Sequence, residues 1–439
     1  MTSVCIDGFN ISLAKGSGIA TYGRNLLENL QDLGFGTQVL YGPANEKRSS
    51  NVLNEAGLVD AERPPKKLNR REKSRRFRAT LMSRFGREAY SITPSGEVIW
   101  PSQGGGRPAA DNFWASQNLF AYANRAFSAY SKETPLSFTE SGSVKAPDVM
   151  HWTSILPIYA KHVPNIYTIH DLIPLRLPHT TLDDKAVYGA MCDKIAKRAD
   201  HIAVVSEATR QDVIRILGVS ENRVTNTYQA VNIPHHLKIR PQADVVTELE
   251  GVFGLGWKSY FLHFGAVEPK KNLGRIVEAY LASGSKTPLV LIGGRAWLDD
   301  GELALLKQVK RDGGDGADRI RQYEYMPFSI LVSLIRGAKA TLFPSLYEGF
   351  GLPVLESMAL STAVLTSNGG ALPEVAGDAA IVVDPYDVQA ITSGIKALDA
   401  DEGLRASLET WGLRQAENFT REAYQTRLVE LYRSIGVAA

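Results

Sequence analysis

The sequence predicts an α/β protein made of two doubly wound domains that face a cleft. Three observations predict it. Short, continuously apolar strands alternate with amphipathic helices; that alternation runs twice; and a polar run holding Pro234 and Pro241, residues 232–256, separates the two blocks like a linker. Strands that are apolar throughout belong in parallel sheets covered on both faces. Such sheets take ligands in the crevice outside the strand C-termini. The chain has 439 residues, 44% of them hydrophobic and 22% charged, with a net charge of +2. That size suits two or three domains, and the composition excludes a disordered chain. No window approaches the ~18 apolar residues that a bilayer span needs. The start of the chain shows no basic stretch followed by an apolar one, so a cytoplasmic protein is expected. Cys5 and Cys192 have no metal or redox spacing and suit core packing in a reducing cytosol.

In the first block the strand candidates are 4–7, 37–41, 149–152, 166–170, 202–205 and 224–227. A helix over 18–33 carries Leu26, Leu27, Leu30 and Leu33 on one face. Residues 42–147 break the alternation and read as an irregular insertion, with a Gly-rich turn at 104–106 and an aromatic helix near 111–132. In the second block the strands are 260–265, 289–292, 341–343, 363–366 and 381–383, separated by helices over 272–281, 328–336 and 353–360. The expected domains are 1–235, with the insertion at about 61–147, and 250–418, followed by a final segment 419–439.

Charge is concentrated in one place. Residues 61–90 hold eleven Lys/Arg and three Glu, a net of +8, so the rest of the chain carries −6. Phe77, Leu81 and Phe85 recur at helical spacing beside Met82, with Arg75, Arg76 and Arg78 among the surrounding cations. A basic amphipathic helix of this kind can lie on an anionic membrane or hold an anionic acceptor. The plainer alternative is a solvated insertion whose apolar stripe docks on its own domain. No recognition motif or repeated aromatic platform accompanies the charge, so nucleic acid is not an expected partner.

The strongest chemical pattern is Ser345-Leu-Tyr-Glu348-Gly349-Phe350-Gly351-Leu352-Pro353-Val-Leu-Glu356. A strand runs into a glycine-punctuated loop, and a helix opens near Pro353. Free amides at a helix start favour anionic or hydroxyl-rich ligands. Two carboxylates flanking the turn can accept hydrogen bonds from vicinal hydroxyls. A second pattern, His263-Phe-Gly265-Ala266-Val-Glu268-Pro269-Lys270-Lys271-Asn272, puts cations where a strand ends and a helix begins, which suits a diphosphate. Gly293-Gly294-Arg295-Ala-Trp297 follows the next strand; its glycines permit close backbone approach to a nucleotide.

The first pattern resembles the E-x7-E motif of the family 4 retaining glycosyltransferases, which have the GT-B fold. The second resembles that family's G-x-x-x-P-R-K-N segment, and the third a turn of its mannosyltransferase-like members. Pro373-Glu374-Val-Ala-Gly377-Asp378 is similar to a stretch beside the donor site. In the N-terminal block, Asp7-Gly8-Phe9-Asn10, the turn Gly16-Ser17-Gly18 and the strand-end pair His170-Asp171 are similar to the family's first loop and its His-Asp. Ser206-Glu207-Ala208-Thr209 resembles its next helix start, where an N-cap alone accounts for Ser206. The resemblance covers nearly the whole chain except about 42–147, which does not align with it.

The resemblance implies transfer of a hexose from a nucleotide-sugar with retention of anomeric configuration. It gives His170, Lys271 and Glu348 as catalytic residues. Gly16, Gly18, Ala266, Lys270, Gly293, Gly294, Phe350, Gly351, Leu352 and Glu356 become donor-binding residues, with Glu356 on the ribose hydroxyls, Glu348 on the sugar and Lys271 on the phosphates. Ala266 stands where some members have a second phosphate-binding Arg. Asp7, Asn10, Asp171, Arg75 and Arg76 are candidate acceptor contacts. GDP-mannose is the expected donor, with UDP-sugars the alternative. A lipid-linked glycan for a surface polysaccharide is the expected acceptor, handled at the inner face of the cytoplasmic membrane. No Asp-x-Asp motif is present, so metal independence is expected and no cofactor is implied. The resemblance also implies a last helix, about 421–435, that crosses back onto the N-terminal domain. The rivals are a GT-B sugar-nucleotide epimerase and a non-catalytic nucleotide-sugar-binding protein. A nicotinamide-dependent dehydrogenase is disfavoured because no G-x-G-x-x-G with a following acidic residue occurs.

Overall fold

A computed structural model describes residues 2–12, 18–60, 69–100, 106–142, 144–294, 299–313 and 316–437. Gly16, the cations Lys66 and Lys67, Gly104, Gly105 and the Arg295–Trp297 part of the third pattern lie outside the described residues. The described residues form two sheets. The first has ten strands: β1 (Ser3–Asp7), β2 (Gly36–Tyr41), β3 (Arg87–Ile92), β4 (Asn112–Ala115), β5 (Thr134–Thr139), β6 (Val149–Trp152), β7 (Ile158–Ala160), β8 (Asn165–Ile169), β9 (His201–Val204) and β10 (Val224–Asn226). Their order is β10-β9-β8-β6-β1-β2-β4-β3-β5-β7. The second has six: β11 (Phe261–Phe264), β12 (Leu289–Ile292), β13 (Ile320–Tyr323), β14 (Ala340–Phe343), β15 (Ala363–Ser367) and β16 (Ile381–Val383), in the order β13-β12-β11-β14-β15-β16 and parallel throughout. This is the expected pair of doubly wound sheets.

Three expectations need correction. Residues 42–147 are not irregular: they supply β3, β4 and β5, with β3 antiparallel to β4. The aromatic stretch near 111–132 is a strand followed by helix Leu119–Tyr130, not one helix. Residues 232–256 are not a plain linker either. Pro241 is the N-cap of helix Gln242–Phe253, whose Val245 and Leu249 are buried against the 328–337 helix. Proline at a helix start removes an amide that has no intrahelical partner, so it opens the helix that it would break further in.

The basic segment forms helix Arg70–Ser83, opened by a reciprocal Asn69–Glu72 capping box. Its buried residues are Thr80 and Ser83. The apolar stripe docks on its own domain only through Leu81, which is half-buried: Phe77, Met82 and Phe85 are 62%, 57% and 62% exposed.

Each half has its own sheet packing, but one apolar cluster runs through both. It joins Val4, Ile6 and Ile166 of the first sheet to Phe350, Val354 and Leu372 in the loop and helices of the second half, together with Ala416 and Phe419. The last helix, Arg421–Ser434, completes the first half. Its Leu428, Leu431 and Tyr432 are fully buried in that cluster, the Tyr432 hydroxyl bonds His151 Nδ1 at 2.7 Å, and Arg421 pairs with Asp32.

Candidate active site

At the C-terminal end of β11 the chain must turn sharply. Gly265 has φ 141° and packs so closely on Gly293, at the end of β12, that a methyl on Gly293 would overlap the Gly265 carbonyl. Glycine is required at both contacts. The turn leads to Lys270 and Lys271 and then to Asn272, left-handed at φ 61° at the start of helix Leu273–Ser283. The Asn272 amide donates to the carbonyls of Pro344 (2.9 Å) and Pro385 (2.7 Å). It thereby ties the lysine turn to the loop after β14. Leu346 N donates to the Lys270 carbonyl at 2.7 Å, a second tie between the same loops.

These ties bring Lys271 and Glu348 together, with Nζ 2.6 Å from Oε1 and both side chains nearly buried. The Lys271 ammonium also lies 4.8 Å from the centre of the Phe343 ring. Burial pushes the Glu348 carboxyl up, but Lys271 and Lys270 outweigh it and hold the group below the ordinary carboxylate value. Burial lowers the Lys270 ammonium, while Glu348, Asp171 and Glu268 more than reverse that and keep it charged. Ala266, in the same turn, is exposed and brings no charge.

Glu356 behaves differently. It projects from helix Leu352–Ala359, which opens at Gly351 with φ 107°. Desolvation pushes its carboxyl up to about 7, and no charge or hydrogen bond opposes the shift. Leu352 opens the same helix. The Phe350 ring is buried among Tyr228 and Phe419, so only its backbone can serve a ligand.

The first half presents His170 at the end of β8. Its Nε2 lies 2.8 Å from the Thr153 carbonyl, which can only accept, so Nε2 carries the proton and Nδ1 the lone pair. Burial lowers its pKa, with the Thr153 bond and Asp171 opposing, and keeps the ring neutral. Asp171 accepts from Ile173 N at 3.0 Å. The halves meet here: a methyl at Gly349 would overlap the His170 carbonyl and press on Asp171. The structure thus brings His170, Asp171, Lys270, Lys271 and Glu348 to one place.

Other predicted residues do not join them. Asp7 is fully buried, and its carboxylate accepts from the amides of Thr153 (2.5 Å) and Phe9 (3.2 Å), with burial pushing its pKa up to about 6. It is a loop clamp, not an acceptor contact. Asn10 is buried and donates to Ser154. Arg75 and Arg76 are exposed on the 70–83 helix, where Arg75 pairs with Glu46. Gly18 opens helix Gly18–Asp32. Glu374 does not stand free at the donor site but bonds to the first half. Tyr347 and Asp212 are structural contributors to which the sequence assigned no role, whereas Asn272 and Glu374 stood in quoted motifs without their tying contacts being foreseen.

Two family models match the chain: one described as "Glycosyl transferases group 1" over residues 254–415, and one described as "Glycosyltransferase Family 4" over residues 108–233. The O-antigen chain mannosyltransferase B of Escherichia coli is 32% identical over 293 residues, which cover 63% of this chain and 74% of that one. The chain belongs to glycosyltransferase family 4. The serotype-specific mannosyltransferase WbdA of E. coli is 28% identical over 292 residues, and the chain spans about a third (35%) of that relative's length. A sucrose-phosphate synthase from Thermosynechococcus elongatus superposes over 99% of both chains with a TM-score of 0.67 at 17% identity, which gives this family 4 enzyme the GT-B architecture. Among its described residues no helix is long and apolar enough to cross a membrane.

Proposed function

We propose that this glycosyltransferase moves mannose from GDP-mannose to a hydroxyl of a lipid-linked glycan during surface-polysaccharide synthesis, with retention of configuration. The observation that carries it is the contact between Lys271 and Glu348. The residue expected on the phosphates and the residue expected on the sugar touch each other, as the single bond between a sugar and its phosphate demands. Mannose and the polysaccharide context rest on the relatives' names.

Lys271, Lys270 and the helix amides after Gly351 would stabilise the charge that grows on the departing diphosphate. The reaction then draws its electrostatic support from side-chain cations, and no metal or cofactor is assigned. Glu356, desolvated and without a charge partner, would accept from the ribose hydroxyls. His170 would offer its Nδ1 lone pair to a sugar hydroxyl. Departing phosphate and incoming hydroxyl share one face of the sugar, so the phosphate can take the acceptor's proton. Thermal shifts with GDP, UDP, ADP and TDP at equal concentration test the donor. About 100-fold excess over Kd stabilises the folded state by about 2.7 kcal/mol. A shift with GDP alone is expected. A shift with UDP alone would keep the transferase and replace the donor, and no shift at all would overturn the site.

The 70–83 helix supports a second element, association with an anionic bilayer surface, where a lipid-linked acceptor resides. Phe77, Met82 and Phe85 are exposed among Arg75, Arg76 and Arg78. Apolar residues that enter the headgroup layer beside cations that stay at its surface are what such binding needs. Reversing the charge of Arg75, Arg76 and Arg78 together should abolish co-sedimentation with phosphatidylglycerol vesicles; unchanged binding would sink the idea.

A further inference from the structure

Among the described residues, two side chains of the second half, Tyr347 and Glu374, reach polar groups of helix Glu207–Leu217 of the first half. Tyr347, the residue before Glu348, donates its hydroxyl to Asp212 Oδ2 at 2.5 Å, and both are buried. The other oxygen of Asp212 accepts from Arg176 (3.2 Å) and Arg215 (3.0 Å), and the Arg176 guanidinium lies 5.3 Å from the centre of the Tyr347 ring. Glu374, on helix Leu372–Ala376, accepts from the amides of Glu207 and Ala208 at 2.9 Å each and from the Tyr228 hydroxyl at 3.0 Å.

The helix does not need Glu374 to form. Ser206 already caps it through the Thr209 amide, and Gly218 ends it in a left-handed turn. Glu374 takes the two first-turn amides that Ser206 leaves, and its charge faces the positive end of the helix dipole. Tyr347 likewise adds a third donor to a carboxylate that two arginines of its own half already serve. Neither contact is required within its own half, and each satisfies its partner only when the halves are together. Both are polar, so water can replace them when the halves part. That distinguishes them from the Tyr228, Phe350 and Phe419 contacts, which are aromatic and would cost apolar burial to open.

We infer that Tyr347 and Glu374 are positioning residues: they latch the 207–217 helix to the donor-side half and so set the loop that carries Glu348 against His170. The inference rests on the proposed transfer reaction for its consequence, though not for its geometry. Tyr347 lies next to Glu348, and Gly349 lies against the His170 carbonyl. Closing the latch therefore places Glu348, Lys271 and His170 in one site.

The test uses Tyr347→Phe, Glu374→Gln and the double variant, each in the full chain. Turnover, nucleotide affinity, melting temperature and the radius of gyration from small-angle scattering are measured without nucleotide, with GDP and with UDP. Each single variant should lower kcat about tenfold, the scale of one hydrogen bond to a charged group. The double variant should lower it about 100-fold and enlarge the radius, while GDP affinity stays within about threefold. On an Asp212→Ala background, Tyr347→Phe should cost nothing further, because its partner is already gone. Asp212→Asn, which retains an acceptor, should recover part of the loss. If the double variant scatters and turns over like the parent, or if Tyr347→Phe costs as much without Asp212 as with it, the latch is overturned. If the parent itself transfers no sugar, the donor reading fails, and the scattering and the Tyr347–Asp212 coupling, read from melting temperatures, still decide the latch.

Discussion

At the strand ends of the second sheet, charge is dense and internally compensated: Lys271 against Glu348, Lys270 against Glu268, with Glu356 alone nearby. At the corresponding ends of the first sheet the same fold plan holds Asp7, His151 and His170, and burial moves each of them toward its neutral form. The second half keeps its charges paired, as the proposed function requires of a site that would receive a multiply charged donor. Under the same proposal the first half would face a neutral hydroxyl, to which His170 can offer its Nδ1 lone pair, while Asp7 and His151 are engaged within the fold. A carboxylate or ammonium left in low dielectric without a partner is costly, so a charged ligand needs a site already neutralised in its absence. An uncharged one does not.

The sharpest way to break this contrast is Lys271→Ala. It removes the cation from the developing diphosphate and should lower kcat by about 10²–10³-fold, the scale of losing one donor to transition-state charge. The check is the steady-state rate with GDP-mannose. Gly349→Ala attacks the boundary between the halves. Its methyl overlaps the His170 carbonyl, and a displacement of about 1 Å there should lower kcat by about 10²-fold. Nucleotide affinity, read by calorimetry, should stay within a few-fold.

Glu356→Gln has the smallest effect and sharpens the contrast within the second half. Donor affinity should fall about tenfold, the scale of one hydrogen bond to a charged acceptor. Stability of the ligand-free chain should move the other way. The folded carboxyl is pushed up from the ordinary 4.5 to about 7. The protonated acid is thus favoured in the folded chain: its contribution is fully present below about pH 4.5 and is lost as pH rises through 7. Gln cannot ionise. The variant should therefore melt higher than the parent at pH 8, by on the order of 1 kcal/mol, and equally at pH 4. Equal melting at both pH values would show that Glu356 is not desolvated.

What the sequence made legible was local. Gly349, Gly351, Pro353, Lys270 and Lys271 could be placed because a strand, a turn and a helix start fall within a dozen residues, and each residue type answers to the backbone beside it. The strand pattern of the second sheet was readable because its central strands are apolar on both faces. The contacts of Asp212, Tyr347 and Glu374 were not readable, although Glu374 stood in a quoted motif. Their partners lie 135 to 167 residues away, and nothing in their neighbourhoods announces a long-range contact. Asp7 was misread because an acid at a strand end looks the same whether it faces a ligand or two amides of its own loop. Residues 42–147 were misread because β3 runs against its neighbour and carries a mixed burial pattern, so the parallel-strand signal disappears where the chain continues the sheet.

The helix Arg421–Ser434 has a consequence for how the protein is made. Leu428, Leu431 and Tyr432 close the apolar side of a sheet whose first strand begins at Ser3. Translation delivers that strand more than four hundred residues earlier. Domains usually fold in the order in which they emerge from the ribosome. Here the apolar surface that Leu428, Leu431 and Tyr432 cover in the leading half stays open until the whole trailing half has been synthesised. A nascent chain stalled anywhere before Arg421 presents a sticky, incomplete first domain to chaperones, even when every residue of its ten strands is already outside the exit tunnel.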